Sequence, residues 1–222
     1  MTLNRTASAF ALTAALLIWA GFSFGSIAPD SPVDRGNDPV PAPSLTEVLS
    51  WNVDKAHSEV TFSVRHLGIS RVTGAFHDFD ATVEVDPENL HTLQTAATVQ
   101  IASIDTRNED RDDHLRSDDF FDAVSYPTMS FESTGISNVD GSTFTLEGDL
   151  TIKDVTKSVA FDAAFVGAAQ GPMGNERAAF TATTIIDRTE YGLMWNRLTE
   201  AGGVVVGHDV TINLDIQTVK SE

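Results

Sequence analysis

The amino-acid sequence predicts an all-β domain of about eight antiparallel strands, and three observations carry that prediction. From residue 57 onward apolar and polar residues alternate with period two, the mark of strands with one buried face. Turn pairs punctuate the runs at Asp86-Pro87, Asp140-Gly141, Gly171-Pro172 and Gly202-Gly203. Helical signals gather in one short charged stretch that starts near Thr106.

Two segments precede the domain. Residues 1–28 open with a single Arg5, continue through an uncharged apolar run from Ala7 to Phe24, and end in small residues, Gly25, Ser26 and Ala28. That is the layout of an export signal, and the run is also long enough to remain as a membrane anchor. Arg5 before it, with Asp30 and Asp34 after it, predicts that the C-terminal part is translocated. Residues 29–44 hold five of the eight prolines and hardly an apolar side chain, so they read as an extended acidic linker. The domain proper is expected over 45–222. The chain has no cysteine, so no disulfide staples it and its stability must come from its own core.

The strands follow in order. Val60, Phe62 and Val64 alternate with Thr61, Ser63 and Arg65, and Ala81, Val83 and Val85 follow Phe79. Ala97, Val99 and Ile101 give a third run, Met129 and Phe131 a fourth, and Phe144, Leu146, Leu150 and Ile152 a fifth. Val159, Phe161, Ala163 and Phe165 come next, then Ala178, Phe180 and Ala182. The clearest run is the last, Val210, Ile212, Leu214 and Ile216 set between Thr211, Asn213, Asp215 and Gln217. Between the third and fourth runs, Thr106 and Glu109 are expected to form a capping box, with Asp110, Asp112 and Asp113 in the first turns. A helix starting there places Arg107, Arg111 and His114 on one face, and Phe120 and Phe121 at its end.

Periodicity does not separate a sandwich from a closed barrel. The inner positions mix Phe76 with Gly74, Ala163, Gly167 and Ala182, a mixture that either interdigitates in a solid core or leaves a lumen.

Charge excludes some partners. Of 14 basic and 32 acidic residues, two and three precede Ser44, which leaves the domain at −17. Such a body repels nucleic acid and anionic surfaces, and it fits either a generally soluble surface or adaptation to high salt.

Several ordered motifs resemble the YceI-like family of exported lipid-binding proteins. They are WNVDKAHSEVTFSVRHLGISRVTGAF from Trp51, SIDTRNEDRDDHLRSDDFFDAVSYPTMSFES, LEGDLTIKDVTKSV, DRTEYGL and VGHDVTINLDI. The sequence departs from the family pattern at Asp154, where glycine is more usual. The resemblance implies an eight-stranded antiparallel lipocalin-like barrel with a short helical segment closing one side. It also implies an isoprenoid lipid or quinone in the lumen, and a periplasmic or extracellular setting. The lumen is then expected to be lined by Phe62, Val64, Phe76, Phe120, Phe121, Phe131, Phe144, Phe161, Phe165, Phe180 and Trp195. Arg107, Arg111 and His114 are the candidates for a polar head group, guanidiniums being suited to phosphate oxygens.

Catalysis and metal binding have weak support. Ser58 adjoins His57, yet adjacent residues on a strand point apart and no nucleophile elbow occurs. The six histidines are scattered without an i, i+4 pair. The expectation is therefore a non-enzymatic carrier without cofactor or metal, monomeric or homodimeric. Membrane contact would run through the N-terminal segment if it is retained. The rival readings are an enzyme acting on a lipid head group, and a cell-envelope interaction domain with a filled barrel.

Overall fold

The computed structural model describes residues 48–86, 89–198 and 203–221. The export segment, the linker, Pro87 and Gly202 lie outside those residues. The described chain forms strands β1 (Leu49–Val53), β2 (Glu59–His66), β3 (Ser70–Phe76), β4 (Phe79–Asp86), β5 (Asn89–Gln100) and β6 (Ile104–Asp105). After helix α1 (Glu109–Arg116) come β7 (Thr128–Asp140), β8 (Thr143–Ile152), β9 (Val155–Gln170), β10 (Glu176–Asp187) and β11 (Val206–Lys220).

All pairings are antiparallel, and the sheet closes on itself where β11 meets both β1 and β2. The eleven strands make eight staves, because three staves are broken. β1 and β2 lie end to end along β11, with Val53 opposite Thr218 and Glu59 opposite Asp215. β3 and β4 run along β2 and β1, and β5 and β6 run along β4 and β3. The result is the eight-stranded up-and-down barrel expected. All eight alternating runs fall on strands, apart from Ile101, which opens a short 3-10 turn. The alternation does not mark β1, β3 and β6 as separate strands; they are the other halves of broken staves.

Two of the breaks have a local cause. Asp54 accepts the Ala56 amide and caps the 3-10 turn Lys55–His57 between β1 and β2. Lys55 then bridges to Asp78 and Asp80 beside the neighbouring break, at 3.5 and 3.7 Å. The turn Ile101–Ser103 separates β5 from β6.

Because β6 has only two residues and β7 starts at Thr128, opposite Gln100, the wall is incomplete between β3 and β7. The helical segment fills that gap. Leu115 and Phe121 pack on the cluster containing Phe76, Phe79 and Ile104, while Phe120 is buried among Leu150, Ile152 and Ile186. Lys153 Nζ donates to the Phe120 carbonyl at 2.8 Å, which fastens the segment to the β8–β9 hairpin.

The helix start differs from the expected capping box. Asn108 is the cap, its side chain accepting the Arg111 amide at 2.9 Å, and Glu109 is the first helical residue. Thr106 is buried and gives both its amide and its hydroxyl to the Asp112 carboxylate. This pair holds Thr106 out of the cap position. Arg107 lies before the helix with φ 63° and so does not share a face with Arg111 and His114.

Candidate ligand-binding lumen

Inside the barrel are two cavities whose exposed walls are wholly apolar. The larger leaves about 160 Å³ open to the centre of a water-sized sphere, the smaller about 100 Å³. Both are lined by Val60, Met129 and Ile212, so they adjoin across those three side chains and are the two parts of the barrel lumen. The larger part runs among Phe79, Phe131, Phe144, Phe161 and Phe180, and is widened by Ala163 and Ala182. The smaller lies under the helical segment, against Phe62, Val64, Phe76, Phe120 and Phe121.

Nine of the eleven side chains expected in the lumen thus stand on its walls. Phe165 instead packs on Phe180, ring centres 5.4 Å apart, and Trp195 packs on His114 and Phe120 at 4.8 and 5.2 Å. Neither lines either of these two cavities. Phe120 and Phe121 both stand on the wall of the smaller cavity.

Gly74 does not open space for a ligand. It lies opposite Phe62, and a Cβ there would sit 2.5 Å from the Phe62 ring and 2.8 Å from the Thr106 methyl. The ring lies over the glycine. Gly148 plays the same part for Phe131, with a Cβ 2.3 Å from the ring and 2.5 Å from the Glu132 carbonyl oxygen. The room in the lumen comes instead from Ala163 and Ala182, which face each other in register across β9 and β10.

The expected head-group residues make hydrogen bonds within the protein, and none lines either of these two cavities. Arg107 donates to the Thr73 hydroxyl at 3.2 Å, and Arg111 to the hydroxyl and carbonyl of Thr106, both at 2.7 Å. His114 bonds Asp119 at 2.8 Å and, with its ring on Phe120 and Trp195, latches the helical segment to the loop before β11. Arg116 was not singled out in the sequence. It donates to the Ala102 and Ile104 carbonyls and pairs with Asp113, so it ties α1 to the barrel.

The DRTEYGL motif builds the end of the smaller cavity. Asp187 caps the 3-10 turn Arg188–Tyr191 through Thr189, and Gly192 closes it at φ 76°. Arg188 lines the cavity end yet is 3% exposed, and its guanidinium donates to the carbonyls of Leu193, Val206 and Gly207. Burial pushes its pKa below the ordinary value, against the opposing pull of Asp187. The arginine thereby clamps both ends of the loop that joins Leu193 to β11. Burial, helped by Glu190, drives the Tyr191 phenol up to about 12, and its hydroxyl has no partner among the described residues.

At the opposite break, Ser58 donates to the Asp54 and Gln217 carbonyls and accepts the Gln217 amide. Its hydroxyl thus serves barrel closure rather than His57. His57 bonds the Asp54 carboxylate at 2.9 Å, and Asp54 also receives Arg177 and Gln217. Burial tends to raise the Asp54 pKa, but the Arg177 and His57 bonds outweigh it and hold the carboxyl below its usual range. Among the described residues no three His, Asp or Glu side chains converge as a metal site.

Comparison with known proteins agrees with this architecture. The model of the YceI-like domain matches residues 51–218. A UPF0312 protein of Staphylococcus aureus is 37% identical over 176 residues, covering 79% of this chain and 100% of its own length. The crystal structure of the Campylobacter jejuni YCEI protein superposes with a TM-score of 0.63 at 34% identity, over 76% of this chain and 96% of that one. A polyisoprenoid binding domain from Saccharophagus degradans shares the fold, with a TM-score of 0.59 at 12% identity over 78% and 99% of the two chains. The closed eight-stave barrel, its helical side wall and a family match across nearly all of it lead to one assignment: the chain belongs to the YceI-like family.

Proposed function

We propose that this protein is an exported, non-enzymatic carrier that holds the apolar chain of an isoprenoid lipid or quinone in the two-part lumen. The carrying observation is the pair of neighbouring cavities, which share Val60, Met129 and Ile212 as a common wall and present only apolar atoms. A solid core would not keep such a void. At about 24 cal/mol per Å³, an empty space the size of the larger part costs roughly 4 kcal/mol. An apolar guest offsets that cost: ten carbons, two isoprene units, gain roughly 8 kcal/mol on leaving water, less the cost of ordering the chain.

The similarity to a polyisoprenoid binding domain supports the ligand class, and the signal-like N-terminus supports export to the periplasm or beyond. Arg107, Arg111 and His114 each bond within the protein and none lines the two cavities, so the tail is the main determinant of binding in this reading. The test is solvent extraction and mass spectrometry of protein purified without detergent. A co-purifying polyprenyl species supports the carrier. A reproducibly empty extract, from protein that also refuses added polyprenol, overturns it.

A further inference from the structure

One corner of this acidic barrel has a different chemistry from the rest. Val60 to His77 contains no Asp or Glu, and Tyr191 to His208 contains only Glu200, which lies outside the described residues. The fold brings these two segments together. The Leu67 amide donates to the Val205 carbonyl at 2.9 Å, and the Val205 amide to the Arg197 carbonyl at 3.0 Å. Asn196 Oδ1 accepts the amides of Arg197, Val205 and Val206, and Leu198 bridges to Val204. The β2–β3 turn and the loop before β11 are therefore one continuous tip.

That tip exposes large apolar side chains: Ile69 at 84%, Leu198 at 78% and Met194 at 66%, with Leu67 and Val204 beside them. It also exposes Arg65, Arg71 and Arg197, which make no ion pair among the described residues. Arg71 donates to the Ser63 hydroxyl, and the Arg197 guanidinium stands 5.8 Å from the Trp195 ring centre. Asp113 and Asp119, on the adjoining helical segment, are paired with Arg116 and His114. The tip also backs onto the lumen. Leu193 and Val206 line the end of the smaller cavity, and Met194 and Val204 to Val205 are their neighbours along the chain.

We infer that this tip docks on a lipid bilayer that carries anionic head groups, with Ile69 and Leu198 entering the interface and Arg65, Arg71 and Arg197 meeting phosphates. Unpaired guanidiniums beside exposed aliphatic side chains are the chemistry of interfacial binding. The charge of the remaining surface fixes the orientation, because an anionic membrane repels the acidic body and attracts the corner where Arg65, Arg71 and Arg197 stand. Docked in this way, the cavity end under Leu193 and Val206 faces the bilayer, and an apolar chain moves between the two without crossing water. The purpose rests on the carrier reading, whereas the docking does not.

The chain has no native cysteine, so single probes report on each end separately. Full-length Ile69→Cys carries an environment-sensitive fluorophore at the tip, and Met173→Cys carries it in the β9–β10 turn at the opposite end of the barrel. Vesicles of phosphatidylcholine with and without phosphatidylglycerol are then added. The tip probe is expected to shift to the blue with phosphatidylglycerol and the Met173 probe to stay unchanged. Each arginine near an anionic surface is worth roughly fivefold in binding, so combined R65Q, R71Q and R197Q substitutions should require on the order of a hundredfold more anionic lipid for the same shift. Equal responses at both ends assign attachment to the N-terminal run alone and overturn the proposal. So does silence at both ends, or a tip response that follows protein concentration without lipid, which marks contact between copies. A lumen found empty leaves all of these outcomes unchanged, so the two readings fail separately.

Discussion

Replacing Ala163 by leucine separates a ligand lumen from an ordinary core by the sign of two effects. Ala163 is buried, faces Ala182 across the β9–β10 ladder, and lines the larger cavity with open space before it. Leucine adds three carbons to that space. At about 0.8 kcal/mol per carbon removed from water, the ligand-free protein gains up to about 2.4 kcal/mol. For a domain of this size that raises Tm by roughly 5–10 °C. A bound chain must give up the same volume, and losing three buried carbons weakens binding by about 2.4 kcal/mol, on the order of fiftyfold. Stability is read by thermal denaturation of delipidated protein, and affinity by titration with a polyprenol. Had the barrel been solidly packed, the added carbons would cost about 1–3 kcal/mol and lipid affinity would not change. A destabilised variant with unaltered binding therefore refutes the lumen.

Four other outcomes follow from the same structure. Gly148→Ala drives a methyl into the Phe131 ring and the Glu132 carbonyl oxygen, so it should cost about 1–3 kcal/mol in chemical denaturation and lower lipid content, since Phe131 lines the lumen. Asp154→Gly should add about 0.5–1 kcal/mol, because Lys153 and Asp154 form a two-residue hairpin with φ of 52° and 60°, where glycine is unstrained. Asp54 has a depressed native pKa, so its stabilisation is full above the unfolded value of about 3.9 and fades as pH falls through the native one; an Asp54→Asn variant should flatten that acid limb in a Tm against pH series. Tyr191→Phe removes a buried hydroxyl that has no partner among the described residues, and should raise stability by about 1 kcal/mol in thermal denaturation of the delipidated protein; a loss instead means the hydroxyl is bonded.

Much of the fold is legible in the alternation, because a strand's period of two sorts inner from outer residues without knowledge of its partners. Val60, Phe62 and Val64 on β2 and Ile212 and Leu214 on β11 are read correctly on that basis: Val60, Phe62, Ile212 and Leu214 belong to or pack against the described core clusters, and Val64 lines the smaller cavity. What escapes is decided by contacts distant in sequence. β1 and β6 are short and carry little alternation of their own; pairing with β4, β11 and β3 makes them strands. Thr106 and Glu109 satisfy the pattern of a capping box, but the buried Asp112 carboxylate captures Thr106 and leaves the cap to Asn108. The alternation leaves open whether Gly74 faces a lumen or a packed core, and the cross-strand register shows that the Phe62 ring fills the space. Arg188 gives no sign in sequence of being a clamp, since its partners are backbone carbonyls of a loop.

The central claim is that an apolar chain occupies the lumen past Val60, Met129 and Ile212. Its most direct test is photolabelling with a polyprenol that bears a diazirine in its tail, followed by peptide mapping of the adducts by mass spectrometry. Adducts on Met129, Ile212 and the cavity-facing residues of β8 and β9, competed away by unlabelled polyprenol, are the predicted result. Labelling confined to outward-facing residues, unaffected by competitor, would contradict it.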